Sequence, residues 1–345
     1  MQNSTELFLT DNDPTAVSRK KDHIVLAFQS QVQGIDPRFY YEPLLAAHPD
    51  ENTLKPFPFL GKTQRVPMWV SSMTGGTAMA GIINQNLARA CGEFGIGMGL
   101  GSCRGLLYSD EHLRDFDVRH LLGDDAPLFA NLGIAQLEQL IDNQEIDLIK
   151  RLVSKLKADG LIIHINPMQE WLQPEGDRFR RSPLATIETL IEQLDIPLIV
   201  KEVGQGFGRE SLRTLLQLPI KALDFAAAGG TNFAKLELLR SDDMKQEIYT
   251  ELAHVGHTAD DMVTMCNELI VELGDKVRCE QVIISGGVKS FLDGYYLTQK
   301  LNMKSVYGQA SSFLKYAQGD YETLQQYIKA QIEGLALANA FLKVR

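Results

Sequence analysis

Eight short apolar runs recur along this chain between residues 68 and 307, and most are followed by a segment with helical apolar spacing. The runs are Met68-Trp69-Val70-Ser71-Ser72, Gly95-Ile96-Gly97-Met98-Gly99-Leu100, Pro127-Leu128-Phe129-Ala130-Asn131, residues 161–165, Leu198-Ile199-Val200-Lys201-Glu202, Ala222-Leu223-Asp224-Phe225, Val282-Ile283-Ile284-Ser285 and Ser305-Val306-Tyr307. Runs that are apolar at successive positions read as strands buried on both faces, as parallel strands are. Helices are expected near 79–93, from the Ser109-Asp110-Glu111 cluster, over 135–157, near 184–194, 209–217 and 290–300, and as a tail over 321–342. Eight such units over roughly 280 residues match a (β/α)8 TIM barrel in number and size, whereas a doubly wound sheet normally needs fewer. The expected fold is therefore α/β, with an N-terminal arm (residues 1–60) packed on a barrel (residues 61–345). An insertion, about 232–258, follows the sixth strand.

Composition excludes several functional classes. A hydrophobic content of 44% with 23% charged residues is that of a soluble globular protein. The net charge of −10 argues against generic binding of nucleic acid or an anionic membrane. No run approaches the ~18 apolar residues of a membrane span, and Met1 to Asp13 is polar and acidic, unlike a secretory signal. The cysteines Cys91, Cys103, Cys266 and Cys279 have no C-x-x-C spacing, so reduced thiols in a cytoplasmic protein are expected. His254-Val255-Gly256-His257 lacks the glutamate of a zincin motif and reads as exposed loop histidines.

A barrel places its chemistry at the C-terminal ends of its strands. Those ends carry Ser71, Ser72, Met73, Thr74, Gly75 and Gly76; then Ser102, Cys103 and Arg104; Asn131; and His164 with Asn166, Gln169 and Glu170. They continue with Lys201 and Glu202 before Gly204-x-Gly206-x-Gly208, then Gly229-Gly230-Thr231, Ser285-Gly286-Gly287 and Gly308-Gln309-Ala310. Glycines and small hydroxyl residues let backbone N–H groups approach an anion, and the last two loops of a barrel often form a phosphate site. The 204–208 glycines alone are a weak signal, since they can simply be turns. Lys201 closes an apolar strand, where a lysine is costly unless paired; it reads as a rim lysine, a Schiff-base nucleophile or a cation beside an anionic cofactor. Together with the glycines and the hydroxyl-rich first strand it favours bound flavin mononucleotide, whose reduced ring it would stabilise. The densest polar stretch is 164–179, H-I-N-P-M-Q-E-W-L-Q-P-E-G-D-R-F. There Pro167 and Pro174 are expected to prevent helix continuation and shape a loop. Near the N-terminus, Arg19-Lys20-Lys21-Asp22-His23 opens a short apolar helix through Ile24 to Phe28; it reads as a solvated face or as an arm bringing cations to a phosphate.

These segments resemble the type 2, FMN-dependent isopentenyl diphosphate isomerases. The matches are Arg19-Lys20 with His23, S-x-M-T-G-G at 71–76, G-S-x-R at 101–104, N-L-G at 131–133, and H-x-N-x-x-Q-E-x-x-Q-P-E-G-D at 164–177. They continue with V-K-E-V-G at 200–204, A-G-G-T at 228–231 and S-G-G at 285–287, in order along nearly the whole chain. The resemblance implies interconversion of isopentenyl and dimethylallyl diphosphate without net redox change, using reduced FMN, Mg2+ and NADPH as reductant, in a homo-oligomer. It implies that Arg19, Lys20, His23, Arg104, His164 and Asn166 contact the substrate diphosphate, that Glu170 binds Mg2+, and that Gln169 lies near the reacting carbons. Ser71, Ser72, Met73, Thr74, Ser102, Asn131, Lys201 and Thr231 would hold the flavin ring and ribityl chain, and Gly286, Gly287, Gly308, Gln309 and Ala310 its phosphate. Gln169, Lys201 and His164 are the implied catalytic group, with flavin N5 as the acid–base centre, because no strand-end side chain is an acid suited to protonating an alkene.

The chain departs from the family at Cys103, where Gln is common, and at Phe233, where Trp is common; Lys289-Ser290-Phe291 and Gly308-Gln309-Ala310 also diverge. Two other classes compete. FMN-dependent 2-hydroxy acid oxidases share the barrel but use an H-G-x-R motif, and this sequence has no His-Gly pair. A non-catalytic flavin carrier would not need the polar cluster at 164–177.

Overall fold

The computed structural model describes residues 16–72 and 76–345. Among the described residues the chain divides into two compact units, residues 16–40 with Arg345, and residues 41–344. In the first, the helix Ala16–Leu26 starts earlier than expected, so Arg19, Lys20 and His23 lie inside it. These residues are exposed, as are Ile24, Val25, Leu26 and Phe28. Arg and Lys are good helix formers, which is why the cationic stretch continues the helix rather than preceding it.

The second unit is the barrel. Its strands are β1 (Met68–Val70), β2 (Gly97–Gly99), β3 (Leu128–Gly133), β4 (Gly160–His164), β5 (Leu198–Lys201), β6 (Ala222–Asp224), β7 (Val282–Ser285) and β8 (Ser305–Gln309). All neighbouring pairs are parallel, and Tyr307, Gly308 and Gln309 of β8 pair with Met68, Trp69 and Val70 of β1 to close the ring. The eight apolar runs are thus the eight strands. β2 needs its glycines for space: a Cβ on Gly97 would come within 2.5 Å of the Trp69 ring, and one on Gly99 within 2.5 Å of Ile162. Trp69 fills that room and joins Phe129, Ile162, Ile199, Ala222, Ile283 and Val306 in the interior layer.

A feature with no sequence expectation stoppers the barrel's N-terminal end. Phe57–Phe59 pairs antiparallel with Lys62–Gln64 across Leu60 (φ 52°) and Gly61 (φ 78°). Positive φ at both turn residues is the twist-matched geometry of a two-residue hairpin. It delivers Phe59 and Leu60 into the interior layer, and Gln281, just ahead of β7, accepts the Leu60 N–H at 2.8 Å.

Two helical expectations are corrected. After β2 the chain forms only the 3-10 turns Arg104–Leu107 and Leu113–Asp115 and the short helix Arg119–Leu122. Ser109 does accept the Glu111 N–H, but Asp110 is drawn out to Lys155 and Asp115 lies against Gly81, 2.8 Å from where a Cβ would stand. The helix expected over 135–157 divides into Ile134–Asp142 and Asp147–Lys155, because Gln144 (φ 59°) ends the first in a left-handed residue. The insertion is helical, with Phe233–Arg240 capped by Asn232 and Asp243–Tyr249 capped by Asp242, then a 3-10 turn to His254. The tail, Tyr321–Phe341, is one helix capped by Asp320.

Candidate active site

The C-terminal ends of the strands surround a cavity with about 1140 Å³ of empty space, part of it open to solvent. Ser71, Ser72, Ser102, Asn131, His164, Gln169, Lys201, Thr231, Gly286, Gly287, Gly308, Gln309 and Ala310 all line it. Met73 and Thr74 lie outside the described residues. On one side the buried Ser71 and Ser72 hydroxyls have no hydrogen-bond partner among the described residues, a state that is costly unless a ligand or water supplies one. On the other side two glycine pairs meet backbone to backbone: a Cβ on Gly229 or Gly230 would stand 3.2–3.3 Å from Gly287. Gly286 is the most constrained, with φ 85° and only 2.1 Å between a built Cβ and the Ala227 carbonyl oxygen. Gln309 is structural as well as lining: its amide donates to Val288 O (3.2 Å) and accepts from the Tyr327 hydroxyl (3.2 Å).

The polar wall is built by β3, β4 and β5. The Asn131 amide donates to Leu100 O at 3.0 Å, which turns its Oδ1 toward His164 Nδ1 at 2.7 Å. His164 therefore donates from Nδ1 and keeps Nε2 as a free acceptor. Burial first, and then the Lys201 charge, push the imidazole pKa down to about 4, so the ring is neutral at pH 7. Lys201 donates to Glu202 O at 2.9 Å and lies 3.8 Å from the buried Asp224. Glu202 settles the role of the glycine run after β5. Its Oε2 accepts the N–H groups of Gly204 (2.7 Å), Gln205 (2.6 Å) and Gly206 (2.9 Å), so this loop's N–H groups face an internal carboxylate and it is a turn. Burial raises the Glu202 carboxyl above its usual range, and the three N–H donors oppose that rise.

The 164–179 stretch is ordered differently from expectation. Pro167 begins the helix Pro167–Leu172 instead of breaking one, since the first helical position needs no N–H. Asn166, almost fully buried, donates to Gln169 Oε1 (3.1 Å) and Glu170 Oε1 (3.0 Å), and its own Oδ1 has no partner among the described residues. Glu170 Oε2 accepts the Asp177 N–H at 2.7 Å. Arg178 clasps the same turn, donating to the Glu170 and Gly176 carbonyls and lying over Trp171, 4.7 Å from its ring centre. Arg104, Asn166 and Glu170 stand outside the cavity wall. Arg104 donates to Asp177 at 3.0 Å, and Asp177 also accepts from Gln136 (3.0 Å) and Gln139 (3.1 Å).

Three carboxylates carry structure that the strand-end reading missed. Asp177 gathers Arg104, Gln136 and Gln139. Asp224 sits behind Lys201. Glu237, nearly fully buried on the insertion helix, accepts from Gln169 at 3.3 Å and from Arg240 at 2.7 Å. The Glu237-x-x-Arg240 spacing was the available signal for the last, but it looks like an ordinary helix-surface pair. No group of three or more His, Cys, Asp or Glu side chains forms a metal-ready cluster among the described residues. All four cysteines are buried and unbridged, and no described helix is long and apolar enough to cross a membrane.

No protein-family model matches the chain. It is similar to the isopentenyl-diphosphate delta-isomerase of Rickettsia felis, 34% identical over 333 residues, covering 94% of this chain and 92% of that protein. The same-named proteins of Rickettsia africae (34% over 328 residues) and Rickettsia typhi (33% over 329 residues) each cover 93% of this chain and 92% of their own length. Among solved structures, a mandelate oxidase mutant with a monooxide FMN adduct aligns over 96% of this chain and 99% of its own, with TM-score 0.53 and 12% identity. A flavocytochrome b2 double mutant with sulfite bound aligns over 87% of this chain and 70% of its own, with TM-score 0.59 and 15% identity. At such identities the structural likeness concerns the barrel fold.

Proposed function

The chain belongs to the isopentenyl-diphosphate delta-isomerase family, and we propose that it is the FMN-dependent type, interconverting isopentenyl and dimethylallyl diphosphate with no net redox change. The observation that carries the flavin assignment is the cavity itself. Its unpartnered Ser71 and Ser72 hydroxyls, the backbone cradle of Gly229, Gly230, Gly286 and Gly287, and the Lys201 cation on the same cavity fit a phosphorylated, polar ring system that becomes anionic on reduction. Lys289 also lines the cavity beside the glycines and supplies a cation where a phosphate would sit. The helix Phe291–Lys300 offers that phosphate only part of its N-terminus, since Ser290 and Asp293 form a capping box there and Asp293 accepts the Lys289 and Ser290 N–H groups. When bound and reduced, the flavin would supply a proton donor and acceptor for the alkene.

The protein's own groups then do the rest. Gln169 is held by Glu237 and Asn166 at the cavity wall, an amide fixed on both sides and suited to orienting a substrate. His164 presents Nε2 to a diphosphate, and Glu170 would hold Mg2+, a single carboxylate completed by diphosphate oxygens and water being the usual pattern for that ion. Asn166 Oδ1, buried and unbonded beside Glu170, fits the same polar cluster. The family resemblance alone assigns Arg19, Lys20, His23 and Arg104 to the diphosphate, NADPH as the reductant, and a cytoplasmic homo-oligomer as the working form. A 2-hydroxy acid oxidase reading has the fold in its favour but lacks a His-Gly pair anywhere in the chain.

The test is direct. Protein reconstituted with FMN, reduced with dithionite and given Mg2+ and isopentenyl diphosphate should form dimethylallyl diphosphate; 5-deaza-FMN should abolish turnover. No flavin binding, or full activity with 5-deaza-FMN, would sink the reading.

A further inference from the structure

Asp224 is fully buried at the end of β6, directly across from Lys201 in the strand register. One carboxylate oxygen accepts from the Ser285 hydroxyl, and Ser285 in turn accepts the Ala226 N–H at 3.0 Å. The other oxygen makes no hydrogen bond and points at Lys201 Nζ, 3.8 Å away. Asp224 does not line the cavity, whereas Lys201 does. An isolated buried carboxylate costs several kcal/mol unless it is paired. Among the described residues Lys201 is the one cation within ion-pair distance of it.

The other charged or titratable groups facing Lys201 are His164 on β4, neutral at pH 7, and Glu202 just past β5, whose carboxylate is turned to the Gly204–Gly206 amides. His164 supplies no counter-charge, and the Glu202 carboxylate, which does feel the Lys201 charge, is committed to three backbone amides. We propose that Asp224, fixed by Ser285, is the positioning residue for Lys201: it keeps that side chain a cation anchored at the cavity wall while staying out of contact with the ligand itself. In the flavin reading this is the charge that meets the reduced ring, but the assignment of Asp224 depends only on its pairing with Lys201.

Competitive labelling of the full-length protein with acetic anhydride across a pH series, read by peptide mass spectrometry, follows the free amine of Lys201. In Asp224→Asn protein with an unchanged thermal melt, labelling at pH 8 should rise severalfold, because the amine has lost the carboxylate that anchors it. A superimposable labelling profile would overturn the assignment. Should Asp224→Asn not fold, Lys201→Met tests the pair from the other side, because it leaves Asp224 uncompensated. Its carboxyl, already raised by burial, should rise further. A raised acid stabilises the folded state below its unfolded value and loses that contribution as pH rises. The unfolding constant of Lys201→Met should therefore grow by up to about tenfold per pH unit above pH 5, relative to wild type. Adding Asp224→Asn should flatten that dependence; a flat Lys201→Met profile would refute the pairing. Neither measurement involves flavin, so both are separate from the fate of the functional reading.

Discussion

Binding of the diphosphate should be accompanied by uptake of one proton at His164. In the ligand-free protein the Asn131 amide, fixed by Leu100 O, takes the proton of Nδ1, so the nitrogen left for a ligand is a bare Nε2. A lone pair repels a polyanion. With a pKa pushed down to about 4, roughly one imidazole in a thousand is charged at pH 7. Raising that value from about 4 to above 7 in the complex requires about 4 kcal/mol of attraction between imidazolium and ligand. A diphosphate supplies it: each unit charge at about 4 Å contributes roughly 4 kcal/mol at an effective dielectric of 20, and the group carries at least two. The proton therefore goes on. Because it binds the complex and not the free protein, affinity should fall as pH rises, by up to tenfold per unit, until the pKa of the complex is reached. Calorimetry with a saturated, unreactive alkyl diphosphate and Mg2+, run at pH 7 in two buffers of different ionisation heat, counts the protons. Wild type should take up about one proton more than His164→Gln, and the difference removes the ligand's own ionisation. Equal uptake by the two proteins would refute the reasoning, while absence of binding would instead count against the diphosphate reading.

Three further outcomes follow from contacts described above. Gly286→Ala places a Cβ 2.1 Å from the Ala227 oxygen at a φ of 85°, so a cost of about 1–3 kcal/mol is expected, with FMN affinity, measured by fluorescence quenching, falling at least tenfold. Glu237→Gln leaves Gln169 with an ambiguous amide partner; kcat should drop about tenfold or more with KM nearly unchanged, and equal loss in both would argue that the pair serves binding. Phe59→Ala opens the bottom of the barrel at a residue with no exposed surface and should cost about 3–5 kcal/mol in urea unfolding, while turnover per folded molecule stays at the wild-type value.

The barrel was legible because its evidence is repeated. Eight runs such as Leu198-Ile199-Val200 and Val282-Ile283-Ile284 each say the same thing, and an error in one would not disturb the rest. The β2 glycines were readable as a strand only from their neighbours' rhythm, for Gly97 and Gly99 answer to Trp69 and Ile162, residues on other strands. The hairpin at 57–64 had no such repetition, and its significance depends on which end of a closed barrel it meets. Pro167 was misread for a local reason: the same ring that breaks a helix interior is favoured at its first position, and only the chain direction at Asn166 decides between them.

The site divides along the same line. Residues that end a strand, such as Ser71, Asn131, His164 and Lys201, are placed on the cavity by the fold alone, so locating the strands locates them. Asp177, Asp224 and Glu237 act on residues tens of positions away, and each looks in the sequence like a surface or strand-end carboxylate. What distinguishes them is the identity of the partner and, for Asp224 and Glu237, burial, both products of closure: Lys201 meets Asp224 only because β5 and β6 pair in that register. A shift of one residue would turn Asp224 to the other face of its strand and leave Lys201 without a counter-charge. The lysine's chemistry is thus written at position 201, but its charge is secured by how the barrel closes.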